Sequence, residues 1–344
     1  MEGKKKILVT GGAGFIASNF VRYILEKYTH YEILVLDCLS YAGNPENFSN
    51  GIKDSPRFSF WYGNIRNAEI VNTLVSQANV VVHMAAETHV ARSIYDNIVF
   101  FETDVLGTQV VTNAILKNSN VERFIHVSTS EVYGTALTEP MSEEHPLNAA
   151  SPYASAKAGA DRLVYSYYLT YGIPAIIVRP FNNYGPYQHL EKVIPRFITS
   201  ALLGEPLTIH GDGKSSRDWL YVQDHCEALD KLIHSDVKTV VGQVINLGSG
   251  RDIDIETIAD MILAKLKKSR ALITHIGERP GQVKRHIAST DKAEKLIGWK
   301  ATTSFEEGID ETIKWYSEYP DWWKKLLWMR KVPIKMPDGR MEYH

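Results

Sequence analysis

Two short segments carry side chains able to move protons. Ser128-Thr129-Ser130-Glu131 supplies hydroxyls and a carboxylate, and Tyr153-Ala-Ser-Ala-Lys157 sets a phenol and an amine four residues apart. On a helix that spacing puts both on one face. A tyrosine with its ordinary value of roughly 10 is a poor base at neutral pH. A lysine beside it, with nicotinamide charge nearby, stabilises the phenolate and lowers that value. The phenolate then takes the proton of an alcohol as a hydride leaves for a nicotinamide cofactor. Thr129 is placed to hold the same hydroxyl, and Glu131 offers a second proton transfer. Tyr-x-x-x-Lys also occurs at Tyr23 and Lys27, so spacing does not choose between the pairs. Position does. Ligands of open α/β sheets bind beyond the carboxyl ends of the strands, where Thr129, Ser130, Glu131 and Tyr153 are expected; Tyr23 and Lys27 read as a solvated or core-edge pair.

A cofactor site is legible near the start. Val9-Thr10-Gly11-Gly12-Ala13-Gly14-Phe15-Ile16-Ala17 follows a strand-like run and opens a helix. Glycine there lets the backbone approach a pyrophosphate, and the helix N-terminus offers it unpaired N–H groups. The spacing is Gly-x-x-Gly-x-x-Ala, with Ala17 a small substitute for the third glycine. Asp37, 26 residues beyond Gly11, stands where a carboxylate binds the two hydroxyls of an adenosine ribose. An anion there repels a 2′-phosphate and no Arg follows it, so NAD is favoured over NADP. Gly213-Lys214-Ser215 ends like a phosphate-binding loop, but Thr208 occupies the place of its first glycine.

The elements that must position these groups alternate over the first 180 residues. Ile7–Thr10, Ile33–Asp37, Phe58–Tyr62, Val80–Ala86, Phe124–Ser130 and Ala175–Arg179 read as strands, most of them near-continuous apolar runs. Phe15–Tyr28, Ala68–Gln77, Val99–Lys117 and Ala154–Tyr171 have helical spacing. The pattern predicts an α/β fold: a Rossmann-type doubly wound parallel sheet in residues 1–180, with a smaller, irregular α/β substrate domain in residues 181–344. Elements around 222–248 are candidates to return to the first domain. In the second part, helices are expected at Val193–Leu203, Val222–His234, Ile255–Lys267 and Glu306–Tyr316, and strands at Thr208–His210 and Val244–Leu247. Trp322, Trp323 and Trp328 read as packing residues.

Composition narrows the partners. Lys plus Arg total 38 against 40 Asp plus Glu in 344 residues, a net charge of −2. That balance gives no general field to attract nucleic acid or an anionic membrane, so an anionic ligand must be held by local groups. Two cysteines, Cys38 and Cys226, exclude a disulfide framework. No run approaches the length of a membrane span, and the apolar stretch behind the N-terminal lysines is too short for a signal peptide. A cytoplasmic protein is expected. The 12 His residues form no metal-ligand motif, so no metal is expected.

Taken in order, the segments resemble the extended short-chain dehydrogenase/reductase superfamily, and within it the nucleotide-sugar (dTDP-glucose type) 4,6-dehydratases. The carrying segments are Thr10 to Ile16, Asp37 to Asn44, His83-Met-Ala-Ala-Glu-Thr-His-Val90 with Arg92-Ser93, and Ser128 to Gly134. Ser151 to Lys157, Arg179 to Pro186, Glu191 to Pro195, Ser216 to Val222 and Glu278 to Gly281 complete the set with Trp322-Trp323. The resemblance implies Tyr153 as base for oxidation at sugar C4, Lys157 as its partner, Thr129 as clamp of the C4 hydroxyl and Glu131 as base at C5. It implies Gly11, Gly14, Phe15, Ile16, Asp37, Asn64, Ile65, Ala85 and Ala86, with Tyr153 and Lys157, around NAD. It implies Thr88, Asn182, Lys192, Val193, Arg217, Asn246 and Arg279 around a UDP- or dTDP-hexose. A homodimer through helices like Val99–Lys117 and Ala154–Tyr171 is implied too.

The chain also departs from that pattern. Ser130 stands where such dehydratases carry Asp, the acid for the departing C6 hydroxyl; Ala91 replaces an Asp before Arg92; Gln282 and Val283 replace His-Asp. A Thr-Ser-Glu triplet also resembles UDP-glucuronate decarboxylases, which need positive charge near the C5 carboxylate, with Arg92 or Arg179 as sources. A nucleotide-sugar 4-epimerase and a non-catalytic NAD-binding protein are the remaining alternatives.

Overall fold

The computed structural model describes residues 5–278, 283–335 and 339–343. Seven parallel strands form the central sheet: β1 (Lys5–Thr10), β2 (Tyr31–Asp37), β3 (Phe58–Tyr62), β4 (Val80–His83), β5 (Arg123–Val127), β6 (Ala175–Pro180) and the strand Val244–Leu247. Their spatial order is β3-β2-β1-β4-β5-β6 followed by Val244–Leu247. This is the Rossmann arrangement the alternation predicts. Ile7, Leu8, Val9, Val81 and Val82 are fully buried because helices cover both faces. One face packs against α1 (Phe15–Lys27) and the helix Val222–His234, the other against Ala68–Val75, Thr108–Lys117 and Pro152–Tyr171. Residues 222–247 thus return to the sheet, as its edge strand and one covering helix.

The strand order reverses between β1 and β4, which are parallel neighbours with Thr10 opposite His83. A crevice opens there at the strands' carboxyl ends. Two strands stop earlier than their apolar runs suggest: β4 ends at His83 and β5 at Val127. Past those points the backbone leaves the ladder to line the crevice, and Ser130–Tyr133 forms a 3₁₀ turn. The expected helix Val99–Lys117 is also not uniform. It runs as a short α-turn, a π-helical stretch at Phe101–Gly107 and a regular helix from Thr108. Hydrophobic spacing has no term for such a bulge.

The second part is built on the strand Ser216–Tyr221, which the sequence reading left unassigned. It lies between Asn182–Tyr184, parallel, and Asp252–Asp254, antiparallel. Helices Val193–Leu203, Ile255–Lys265 and Phe305–Glu318 close a separate core around Ile194, Phe197, Ile258, Ile262 and Ile309. Trp322 and Trp323 are buried, and the Trp322 indole donates to Asn47 Oδ1 at 3.0 Å, tying the tail to the first part. Trp328 differs from expectation: it is 77% exposed.

Between the helix Pro152–Tyr171 and β6, Asp161 and Arg179 form a buried bidentate pair at 2.9 and 3.0 Å. Burial raises the Asp161 carboxyl, but the Arg179 guanidinium outweighs it and holds the group at about 2. Breaking such a pair from one side strands a buried charge, at a cost of about 3–5 kcal/mol. Asp161→Asn is therefore expected to lose about that much stability at neutral pH in denaturant unfolding. Because the folded value is depressed, the pair's contribution is present above the ordinary carboxylate range and disappears as pH falls through about 2. A variant as stable as the parent at pH 7 would contradict this.

Candidate active site

One cavity of about 470 Å³ runs from the glycine turn, past the ends of β4 and β5, to the helix Val193–Leu203. At its first end Gly11 adopts φ +69°, and a Cβ there would stand 2.6 Å from Ala85 Cα. Gly14, Phe15 and Ile16 bring the N-terminus of α1 to the wall without a side-chain cap, a favourable seat for pyrophosphate. Asp37 closes β2 with one oxygen accepting from Ala13 N at 2.9 Å and the other from Leu39 N at 2.7 Å. Those bonds orient the carboxylate while leaving acceptor capacity on each oxygen for a ribose diol. Asn64, Ile65, Ala85 and Ala86 line the same stretch. These residues fit a dinucleotide: a small-residue cradle, an open helix end and a fixed carboxylate.

At mid-cavity lie Thr129, Ser130, Glu131, Tyr153 and Lys157. Ser151 caps the helix Pro152–Tyr171, accepting from Ala154 N, and so presents Tyr153 on its first turn. Thr129 caps the 3₁₀ turn by accepting from Glu131 N at 3.2 Å. The hydroxyls of Thr129 and Thr88 neighbour the Tyr153 phenol and favour its ionised form. Lys157 is buried and donates to Val127 O at 2.8 Å. The chain's own groups raise the Tyr153 phenol, whereas the expected lowering includes the nicotinamide charge. Burial is the main cause and the charge of Asp104 adds to it, against the two threonine hydroxyls.

The far end gathers the anion-binding candidates. Thr88, Asn182, Lys192, Val193 and Arg217 all line it. Lys192 donates to Thr88 Oγ1 at 3.3 Å. It also precedes a helix whose first turn, opened by Val193, has no side-chain cap. Two predicted contacts are not placed there. Asn246 is fully buried away from the cavity, on the sheet's edge strand, where its amide is bonded to Tyr133 and Met141. Arg279, like Gln282, lies outside the described residues. The Tyr23/Lys27 pair is elsewhere, bound to Asp230.

Sequence reasoning missed several wall residues. Arg196 sits in the wall and donates to Thr208 Oγ1 at 2.9 Å; burial pulls it down to about 10. Glu191 accepts from Tyr41 at 2.8 Å and Arg92 at 2.8 Å. Burial works to raise its carboxyl, but His89, Lys192 and Arg92 hold it at about 2. This buried anion joins the loop after β2, the turn after β4 and the loop before Lys192. Its sequence signal was its place at the start of the segment Glu191 to Pro195, beside Lys192. Val332 reaches the cavity from the C-terminal tail and packs on Ala91, which accounts for a small apolar residue at that position.

A mononucleotide-fold cradle joined to a Thr/Glu/Tyr/Lys cluster and a cationic far end defines an extended short-chain dehydrogenase/reductase acting on a nucleotide sugar. A family model described as GDP-mannose 4,6 dehydratase matches residues 8–312, and the chain belongs to this nucleotide-sugar 4,6-dehydratase family. It is 42% identical to the low-salt glycan biosynthesis protein Agl12 of Haloferax volcanii, over 90% of this chain and 98% of the relative. It is 36% identical to the dTDP-glucose 4,6-dehydratase of Streptomyces niveus, over 97% and 96%. The solved structure of a DesIV double mutant, a dTDP-glucose 4,6-dehydratase from Streptomyces venezuelae with NAD and DAU bound, superposes with a TM-score of 0.88 at 37% identity. That match covers 93% of this chain and 99% of the other.

Proposed function

We propose that the protein is an NAD-dependent nucleotide-sugar 4,6-dehydratase acting on a UDP- or dTDP-hexose. The observation that carries this reading is the single cavity joining the dinucleotide cradle, the Tyr153 cluster with Glu131 and the cationic far end. Gly11, Gly14 and Asp37 would hold NAD, which would supply the acceptor and later donor of a hydride and a positive charge that favours a phenolate. The chain's own residues do the rest. Thr129 holds the C4 hydroxyl, and Tyr153 takes its proton with Lys157 stabilising the phenolate. The resulting C4 ketone acidifies the C5 proton, so the carboxylate of Glu131 suffices to remove it; the proton Glu131 has taken is passed to the departing C6 hydroxyl, and water is lost across C5 and C6. Lys192, Arg217 and the uncapped helix end at Val193 bind the diphosphate.

Elimination is favoured over the alternatives by two observations. The cations a decarboxylase would draw on are committed elsewhere: Arg179 to Asp161, and Arg92 to Glu191. An epimerase has no use for a base at C5, yet Glu131 lines the cavity beside Thr129. Mass spectrometry of products from UDP-hexose, dTDP-hexose and UDP-glucuronate is the test. Loss of one water is expected; loss of CO₂ or unchanged mass would replace the reading with decarboxylation or epimerisation. Ser130 cannot donate a proton as a carboxylic acid does, so Ser130→Asp is expected to retain or raise the elimination rate. Complete loss of activity in that variant would count against elimination at this position.

A homodimer and a cytoplasmic location belong to the same proposal. Ile98, Phe101 and Leu106 are exposed along one of the two expected pairing helices, and Leu169 and Tyr171 on the other, which supports pairing through them. Among the described residues no helix is long and apolar enough to cross a membrane. Light scattering on the purified chain tests the dimer.

A further inference from the structure

Residues 283–289 run beside the start of the strand Ser216–Tyr221 and tie it to the turn that carries Glu131. Ser216 N donates to Lys284 O at 3.0 Å, and Ser216 O accepts from His286 N at 3.3 Å. The same carbonyl accepts from the Arg217 guanidinium at 2.9 Å. Met141 N donates to Ile287 O at 2.8 Å and Ala288 N to Asp218 Oδ2 at 3.1 Å, so the segment is pinned on both sides. The His286 side chain is fully buried, its ring edge-on to Phe181. Its Nε2 lies 2.6 Å from Gly134 O. A carbonyl only accepts, so Nε2 carries the proton. Nδ1 is buried without a hydrogen-bond partner among the described residues. A second proton there would strand an N–H in the interior, so the ring is neutral. Gly134 in turn closes the 3₁₀ turn Ser130–Tyr133, donating its N–H to Glu131 O at 3.1 Å. An unbroken series of hydrogen bonds therefore runs from Arg217, through Ser216 O, His286 and Gly134, to Glu131.

We propose that His286 is a positioning residue, whose bond to Gly134 fixes the turn bearing Glu131 against the segment beside Arg217. The inference rests on reading Glu131 as the base at C5 and Arg217 as a contact to the diphosphate. Those two groups act on opposite ends of one substrate and come from different parts of the chain. A nucleotide sugar held by its diphosphate presents C5 at a set place, and a base displaced by about 1 Å loses about a hundredfold in rate. Tyr153 is held differently, on a helix capped by Ser151 to which His286 makes no hydrogen bond. Oxidation at C4 is therefore not under the same control as proton removal at C5.

His286→Phe keeps a ring and deletes the donor, and His286→Gln keeps an N–H where Nε2 stood. Rapid mixing of the NAD-loaded enzyme with dTDP-glucose or UDP-glucose separates the steps. Absorbance of the reduced nicotinamide reports oxidation at C4, and the isotope effect of a C5-deuterated substrate reports proton removal at C5. In His286→Phe the reduced cofactor is expected to form within about twofold of the parent rate and then accumulate. Its kcat is expected to fall about ten- to a hundredfold, with a larger C5 isotope effect, and His286→Gln to recover most of the loss. Parent-like kcat in His286→Phe overturns the proposal. Equal slowing of both steps does so too, marking His286 as packing for the whole cavity, as does a Gln variant no better than Phe. His286→Leu repeats the test should Phe not be accommodated. ¹⁵N-histidine NMR of the parent, with His286 assigned through His286→Gln, reads the bond without turnover: a neutral ring protonated on Nε2 is expected, and protonation on Nδ1 overturns the bond to Gly134. Absence of water loss by the parent on every nucleotide sugar would defeat the functional reading and the role at C5 with it, while the tautomer would still decide the bond.

Discussion

Tyr153→Phe is expected to lower kcat about a thousandfold while leaving NAD affinity within about twofold of the parent, within the range that a positioned acid–base group contributes. The substitution removes one oxygen. The ring keeps its edge-on contact with Phe100, centroids 6.2 Å apart, so the helix and the cavity wall should stay in place. What disappears is the base for the C4 hydroxyl, and no nearby group replaces it. Thr129 and Thr88, which neighbour the phenol, are hydroxyls with no capacity to hold the proton at neutral pH, and Lys157 is bonded to Val127 O. Without C4 oxidation the C5 proton is not acidic, so Glu131 has nothing to remove and the whole sequence stops. Steady-state turnover and calorimetric NAD binding measure the two halves separately. Turnover within tenfold of the parent would remove Tyr153 from the mechanism.

Gly11→Ala is expected to weaken NAD binding by about a hundredfold, roughly 3 kcal/mol at 1.4 kcal/mol per decade. Two penalties combine. A left-handed backbone costs an alanine about 1–2 kcal/mol, and its Cβ would press on Ala85 Cα at 2.6 Å, a backbone atom that cannot swing aside. Relief requires β1 and the Met84–Ala85 turn to separate, which distorts both walls of the cofactor cradle. Gly172 is the control. It has the same φ of +69°, at the end of the helix Pro152–Tyr171, with nothing within 4 Å of a Cβ. Gly172→Ala should cost about 1 kcal/mol of stability and leave NAD binding unchanged. Equal NAD affinities for the two variants would show that the close approach to Ala85 is unimportant.

That comparison marks how far the sequence could be read. The glycine turn, Asp37 and the strand–helix alternation carry local signals, because a parallel sheet buried on both faces forces apolar runs and its cofactor turn forces small residues. The purpose first read into Gly11, room for a pyrophosphate, is only part of its role. The register of β1 with β4, which sets Thr10 opposite His83, is what brings Ala85 against it. Asn246 shows the converse. Its resemblance-based assignment to the substrate ended on the sheet's edge strand, where its buried amide is satisfied by Tyr133 and Met141 instead.

By itself the sequence determined the fold class, the dinucleotide cradle and the Thr129/Glu131/Tyr153/Lys157 set, since each depends on residue type and spacing within one or two elements. Only the tertiary structure decided which charges are spent on packing and which face the cavity. Arg92 and Arg179 are neutralised by partners 99 and 18 residues away, and the helix packed on Pro152–Tyr171 carries a π-helical bulge at Phe101–Gly107 that periodicity does not encode. Electrostatic environment is a property of burial and of neighbours remote in sequence, and it exists only once the chain has folded.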